Sequence, residues 1–374
     1  MTTADQVAAS VLAGLASMSR RRLQRLLLDQ SPTTALEELR AGRPPAGSMA
    51  MSDSLLERLS VQARAVDDDV VARRIAESAI GVAIVGSADY PQCLADDPER
   101  PGVLFYRGDL SVLDAQRVGI VGTRNATAAG RATAEELGAA LAEAGICVVS
   151  GLALGIDAAA HRGAVNASST AAPCVAVVGN GLDECYPKRN VRLWERVIEG
   201  HLMLSEWPPG TAPDAFRFPL RNRIIAALSK VLVVVESRER GGSLITARAC
   251  LDRGVEVMVV PGSPKSRASA GTNLLLRDGA TPATSVVDIL EAVGSGVRHL
   301  PAPASLPLDA VSAEIVERCA AGPATLDSIV ADCQLGLGVV AMAVADLLAA
   351  GTLCERDGWI EVAGSRLVHP VVPQ

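Results

Sequence analysis

Val118-Gly119-Ile120-Val121-Gly122-Thr123-Arg124, followed by the alanine-rich run Ala126–Ala144, is the stretch on which the fold turns. A short apolar run without alternation reads as a strand buried on both faces. Gly122 ends that strand, and a helix is expected from near Ala126. The same order recurs outward along the chain. Cys147–Val149, Cys174–Val178, Leu202–Leu204, Val231–Val235 and Val257–Val260 are further apolar runs, most followed at once by Gly, Ser, Pro or Asn and then by a helix-like segment. Strand, loop and helix repeated in this way predict an α/β fold, a parallel sheet with helices on both sides. Ligands are then expected at the carboxyl ends of the strands.

At 374 residues the chain is long enough for two or three domains. Its 49% hydrophobic content supports a packed core. Aromatics are only 2%, which excludes a sheet studded with base-stacking rings but leaves room for one or two. The net charge of −7 argues against a uniformly basic coat. The eight cysteines are scattered with no C-x-x-C, so they read as reduced core residues of a cytoplasmic protein. Asp5 precedes the apolar segment Val7–Met18 and Arg20-Arg21-Arg22 follow it, the reverse of a signal peptide's charge order. No apolar run reaches the length of a membrane span, so no membrane association is expected.

Residues 1–80 carry leucines at near-helical spacing and predict a small helical (SAM-like) module, either nucleic-acid-binding or a plain packing or oligomerisation module. Residues 81–295 hold the strand–helix repeats. Pro301, Pro303 and Pro307 mark a linker over 296–306. Beyond it, Ala310–Ala320, Leu326–Gln334 and Val339–Ala350 read as three helices, and Thr352–Glu355 and Trp359–Val362 flank the turn pair Asp357-Gly358. That order predicts a winged-helix-like domain over 307–374. Charge separates the parts: Arg217–Arg253 carries eight basic and three acidic residues, whereas Leu306–Ser365 carries nine acidic and two basic. A neutral body with a local basic segment is compatible with binding phosphates.

Chemistry-bearing motifs sit at the strand ends. Gly122-Thr123-Arg124 offers close backbone approach, hydrogen-bond donors and a guanidinium fork for an anion, or is a tight turn with a solvated Arg. Ser150-Gly151 opens the next loop. Asp157 and His161 follow at i, i+4, where a structural hydrogen bond is expected in preference to a metal pair. Gly179-Asn180-Gly181 begins like a dinucleotide fingerprint but has Glu184 in place of the third Gly. Tyr186-Pro187 and the cation Lys188 follow. Phe216-Arg217-Phe218-Pro219-Leu220-Arg221-Asn222-Arg223 sets two aromatics beside three arginines, which suits a phosphate-tracking, base-stacking site and equally a charged helix start. Gly241-Gly242-Ser243, running on to Thr246, opens a helix with exposed amides. Gly271-Thr272-Asn273 opens another. There is no P-loop, no G-x-S-x-G elbow and no metal-ligand spacing, so neither catalysis nor a cofactor is expected.

Taken together, Gly122-Thr123-Arg124, Ser150–His161, Gly179–Asn190, Ser205-Glu206, Phe218–Ser229, Gly242–Ala247, Pro261-Gly262 and Gly271–Ala280 resemble the DNA-processing protein A (DprA, or Smf) family across about residues 85–292. The resemblance implies an extended Rossmann-like core that binds single-stranded DNA and loads the RecA recombinase in recombination or natural transformation. It also implies a homodimer. On this resemblance Arg124, Arg221 and Arg223 hold phosphates, with Phe218 and Lys188 as neighbours. The full expected nucleic-acid-binding set is Gly122, Thr123, Arg124, Ser150, Gly151, Lys188, Phe218, Arg221, Asn222, Arg223, Gly241, Gly242, Ser243, Thr246 and Asn273. Gly241-Gly242 departs from the family's common Ser-Gly, and Asp252-Arg253-Gly254 from its usual spacing, which bears on local loop geometry. The competing reading is a nucleoside-monophosphate hydrolase on a related fold, which would need Glu206 and Glu236 to face the phosphate loops together. A third, a dinucleotide-dependent oxidoreductase, would need a bound cofactor.

Overall fold

The computed structural model describes residues 3–46, 50–168, 170–294, 309–333, 335–349, 352–356 and 358–362. The chain divides into two compact units, Met1–Gly296 and Val297–Gln374. The expected linker over 296–306 lies outside the described residues.

The first unit is built on a nine-stranded sheet. Its strands are β1 (Gly81–Ile84), β2 (Val103–Arg107), β3 (Arg117–Val121), β4 (Cys147–Ser150), β5 (Val175–Val178), β6 (Leu202–Ser205), β7 (Val231–Val234), β8 (Glu256–Val259) and β9 (Thr281–Pro282). Their order is β1-β2-β6-β5-β4-β3-β7-β8-β9. From β6 to β9 every pairing is parallel, as the uninterrupted apolar runs predict. All of β3, β4, β5, β6 and β7 is buried. The first crossover helix runs Ala128–Glu143, not from Ala126, because the Thr127 hydroxyl caps it by accepting the Gly130 N–H at 2.9 Å.

The antiparallel edge β1–β2 is absent from the sequence expectation, as is the two-residue β9. Five helices, Ala4–Gly14, Arg20–Asp29, Pro32–Arg40, Asp53–Ala65 and Asp68–Glu77, precede that edge. They fall in the same compact unit as the sheet. The Gln6 side chain donates to the Val82 carbonyl of β1. The helix Arg20–Asp29 lies so close to Gly102 that a Cβ there would come within 3.1 Å of the Gln24 backbone.

The second unit has helices Ala310–Ala320, Leu326–Cys333 and Leu337–Ala349 and an antiparallel hairpin of β10 (Leu353–Arg356) and β11 (Trp359–Val362). Its own core includes Ile315, Ile329, Val340, Leu347 and Ile360. This is the element order expected from the sequence. No single described helix is long and apolar enough to cross a membrane.

Candidate nucleic-acid interface

β3 sits where the strand order reverses: β4, β5 and β6 follow on one side, β7, β8 and β9 on the other. Such a switch point opens a crevice at the carboxyl ends of the two central strands, here β3 and β7. A cavity of about 550 Å³ lies there. Gly122, Thr123 and Arg124 enter it from the end of β3. Phe218, Arg221 and Asn222 come from the helix Arg217–Leu228, and Gly241, Gly242, Ser243 and Thr246 from beyond β7. Ten of the expected residues therefore share one wall.

Arg221 forms the floor. Its side chain is 3% exposed, and its Nη1 donates to the Gly151 carbonyl at 2.8 Å. Asn222 Oδ1 accepts from Arg221 Nε at 3.3 Å. Burial pulls the Arg221 pKa down to about 10, with Asp157 opposing the fall, so the guanidinium stays charged at neutral pH. Arg124 is exposed above it. Its guanidinium lies 4.8 Å from the centre of the Phe218 ring, and that ring stacks on Tyr186 at 5.4 Å. Gly179, at the end of β5, makes room: a Cβ there would stand 3.1 Å from Phe218. The fingerprint-like glycine thus seats an aromatic ring.

The strand-end amides behave differently from the expectation. Asp157 is buried, with the backbone N–H groups of Gly122, Gly151 and Ala153 near its carboxylate. An internal carboxylate therefore faces those donors at the cavity wall. Burial raises the Asp157 pKa, while Arg221 and the backbone donors pull against it. The Thr123 N–H is spent on the Glu236 carbonyl at 2.7 Å. Gly122 is required by packing: a Cβ would meet Ile156 at 2.5 Å and the Glu236 carbonyl at 2.8 Å. At the start of the helix Gly242–Leu251 the Leu244 N–H turns back on the Gly241 carbonyl at 3.1 Å, Gly241 supplies no side-chain cap, and among the described residues nothing engages the Gly242 and Ser243 N–H groups.

The other five expected residues stand outside the cavity wall. Ser150 is fully buried and donates to the Ile120 carbonyl at 2.5 Å, tying β4 to β3. Asn273 clasps the backbone of Gly262 through both ends of its amide. Lys188 is exposed beyond Tyr186-Pro187. Gly151 lies under the wall, against Arg221. Arg223 points away from the cavity and pairs with Glu206 at 2.5 Å, both side chains buried. The reason is geometric, since residues two apart on a helix face opposite ways and Arg221 and Arg223 cannot share a wall. The expected Asp157–His161 hydrogen bond is not formed. His161 is fully buried, and desolvation pushes its pKa down to about 3.

Arg238 and Arg240 also line the cavity, although the sequence reads there only as a charged loop. Their position between a strand end and Gly241-Gly242 was the available signal. The carboxylates Glu206 and Glu236 do not meet. Glu206 is held by Arg223, and Glu236 accepts the Thr127 N–H at 2.9 Å and its hydroxyl at 2.6 Å.

The family model described as DNA recombination-mediator protein A matches residues 81–294, more than half of the chain. The chain belongs to that family. It is 38% identical over 216 residues to the DNA processing protein DprA of Bacillus subtilis, covering 58% of this chain and 72% of that one. With the Streptococcus pneumoniae DprA it shares 42% identity over 202 residues, 54% of this chain and 70% of the other. The crystal structure of the S. pneumoniae protein superposes with a TM-score of 0.62 at 30% identity, over 78% of this chain and 98% of that one. A structure of the Helicobacter pylori DNA processing protein A, described for its single-stranded DNA binding mode, gives a TM-score of 0.51 at 27% identity, over 57% of this chain and 95% of its own. The extended Rossmann-like α/β architecture is thus shared with solved members of the family, and the chain is a DNA-processing, recombination-mediator protein.

Proposed function

We propose that the chain binds single-stranded DNA without catalysing a reaction, and delivers RecA to the coated strand in recombination or natural transformation. The carrying observation is the Arg124–Phe218–Tyr186 stack beside the buried Arg221. Guanidinium groups take phosphates, and the rim rings offer a face to an unpaired base. Bases stacked inside a duplex cannot reach such a ring, so the cavity favours single strands. The Gly242 and Ser243 amides at the start of the helix Gly242–Leu251 add donors for one further phosphate. Family membership and the H. pylori structure support the same reading. Action as a homodimer in the cytoplasm belongs to this proposal.

The hydrolase alternative is disfavoured by the separate engagement of Glu206 and Glu236. Release of free base from nucleoside monophosphates is the assay that would revive it.

The C-terminal unit is proposed to be a winged-helix-like domain that does not read duplex DNA. Its third helix, Leu337–Ala349, contains no Lys or Arg, and Met342 on it is 71% exposed. A helix entering a phosphate-lined groove carries cations. The binding proposal is tested by anisotropy with a labelled single strand: Arg124→Ala is expected to weaken binding to all sequences alike. Unchanged affinity in Arg124→Ala and Gly151→Ala together removes the site.

A further inference from the structure

Arg223 opens onto a second cavity, of about 570 Å³, between the helix Arg20–Asp29 and the segment Pro98–Arg100. The helix puts Leu23, Leu26 and Leu27 into the core. The opposite face presents Arg20, Arg21, Gln24, Arg25 and Leu28 to this cavity, at the i, i+1, i+4, i+5, i+8 spacing of one stripe. Two carboxylates line it, Asp29 and Glu99, against the five arginines Arg20, Arg21, Arg25, Arg100 and Arg223. Glu99 accepts from Arg253 at 3.0 Å, and Glu206, behind the wall, accepts from Arg223. Among the described residues no salt bridge engages Arg20, Arg21, Arg25 or Arg100. Nη1 of Arg223, on a side chain 7% exposed as a residue, is buried with no partner, and so is Nη1 of Arg20. Burial and the neighbouring Arg223 charge lower the Arg20 pKa, a strain that an anion would relieve.

The two cavities border a common groove. A groove carrying Arg248 shares Pro219 and Ile245 with the first and Arg20, Glu99 and Arg223 with the second. The helix Arg217–Leu228 divides them, with Arg221 on one side and Arg223 on the other.

From this common groove we infer that the arginine cavity on the helix Arg20–Asp29 is a second phosphate station for the same single strand, reached from the first cavity past Pro219 and Arg248. The inference rests on the strand-binding reading above. Leu28, exposed beside Pro98, gives an unpaired base an apolar surface there.

The test uses the full chain and the double variant Arg21→Gln/Arg25→Gln, both exposed positions whose replacement spares the core. Anisotropy is measured with labelled strands of about 6 and about 30 nucleotides, the shorter filling one station only. Expected is wild-type affinity for the short strand, roughly tenfold weaker binding of the long one, and a log K against log salt slope shallower by about 1.4, the signature of two fewer neutralised phosphates. Arg100→Gln serves as a second variant and is expected to show about half that change in slope. Wild-type slope and long-strand affinity in both variants would overturn the inference. Titration with thymidine monophosphate separates a strand from a free nucleotide: its loss in the double variant with long-strand binding intact would also overturn it. The first cavity is judged independently, because Arg124→Ala is expected to weaken both strand lengths.

Discussion

Arg221 rests directly on Gly151: its guanidinium donates to the glycine carbonyl at 2.8 Å, and a Cβ on that glycine would fall 2.3 Å from Nη2. The absence of a side chain at the end of β4 is therefore what lets a buried arginine reach the cavity floor.

Gly151→Ala is accordingly expected to displace the guanidinium without unfolding the sheet. Single-strand affinity should fall by roughly tenfold, the effect of removing one or two charge-assisted hydrogen bonds to phosphate. Anisotropy titration alongside a thermal melt separates this outcome from simple instability.

Phe218→Ala removes both the stacking face and the seat of Arg124. Removing one base–aromatic stack costs about 1–3 kcal/mol. The salt slope should change little, because no phosphate ligand is deleted outright. Arg124→Ala, by contrast, should make the slope shallower by about 0.7. Salt titrations of the two variants check the difference.

Glu206→Ala leaves Arg223 buried with its charge unpaired, at a cost of roughly 3–5 kcal/mol. A large drop in melting temperature is expected, with short-strand affinity of the folded protein unchanged because Arg223 lies outside the first cavity. A small drop would mean that Arg223 finds another partner.

His161 sets an acid limit on stability. Its folded pKa is pushed to about 3, below the ordinary 6.5. Between those values the unfolded chain binds a proton that the folded chain refuses, so stability falls as pH falls through that window. His201, also lowered by burial, adds with the same sign. Asp157, whose folded pKa is raised, opposes them: it gains stability on protonation as pH falls. The melting temperature of the wild type should decline from pH 6.5 towards 4, and more gently in His161→Gln. Equal slopes in the two would contradict the assignment.

Much of this architecture was legible in the residues. Uninterrupted runs such as Val231–Val234 carry the parallel core, because burial on both faces leaves no room for polar alternation. The helices and hairpin of the C-terminal unit were marked by periodicity and by Asp357-Gly358. The edge strands were not, since four or five residues beside a helical region give too short a pattern. Around the cavity, Arg124, Phe218 and Arg221 were singled out by their motifs and by the family resemblance. What escaped was direction. Sequence spacing shows glycine at a strand end but not that the Asp157 carboxylate sits near its amide, nor that Ser150 and Asn273 spend their polar atoms inside the fold.

The most direct measurement is the anisotropy of a short labelled single strand and of the matching duplex, each titrated with wild type and Arg124→Ala at two salt concentrations. The account predicts that the wild type prefers the single strand, that its affinity falls steeply with salt, and that Arg124→Ala binds more weakly with a shallower salt dependence. Equal affinity for strand and duplex, unaffected by the substitution, would contradict it.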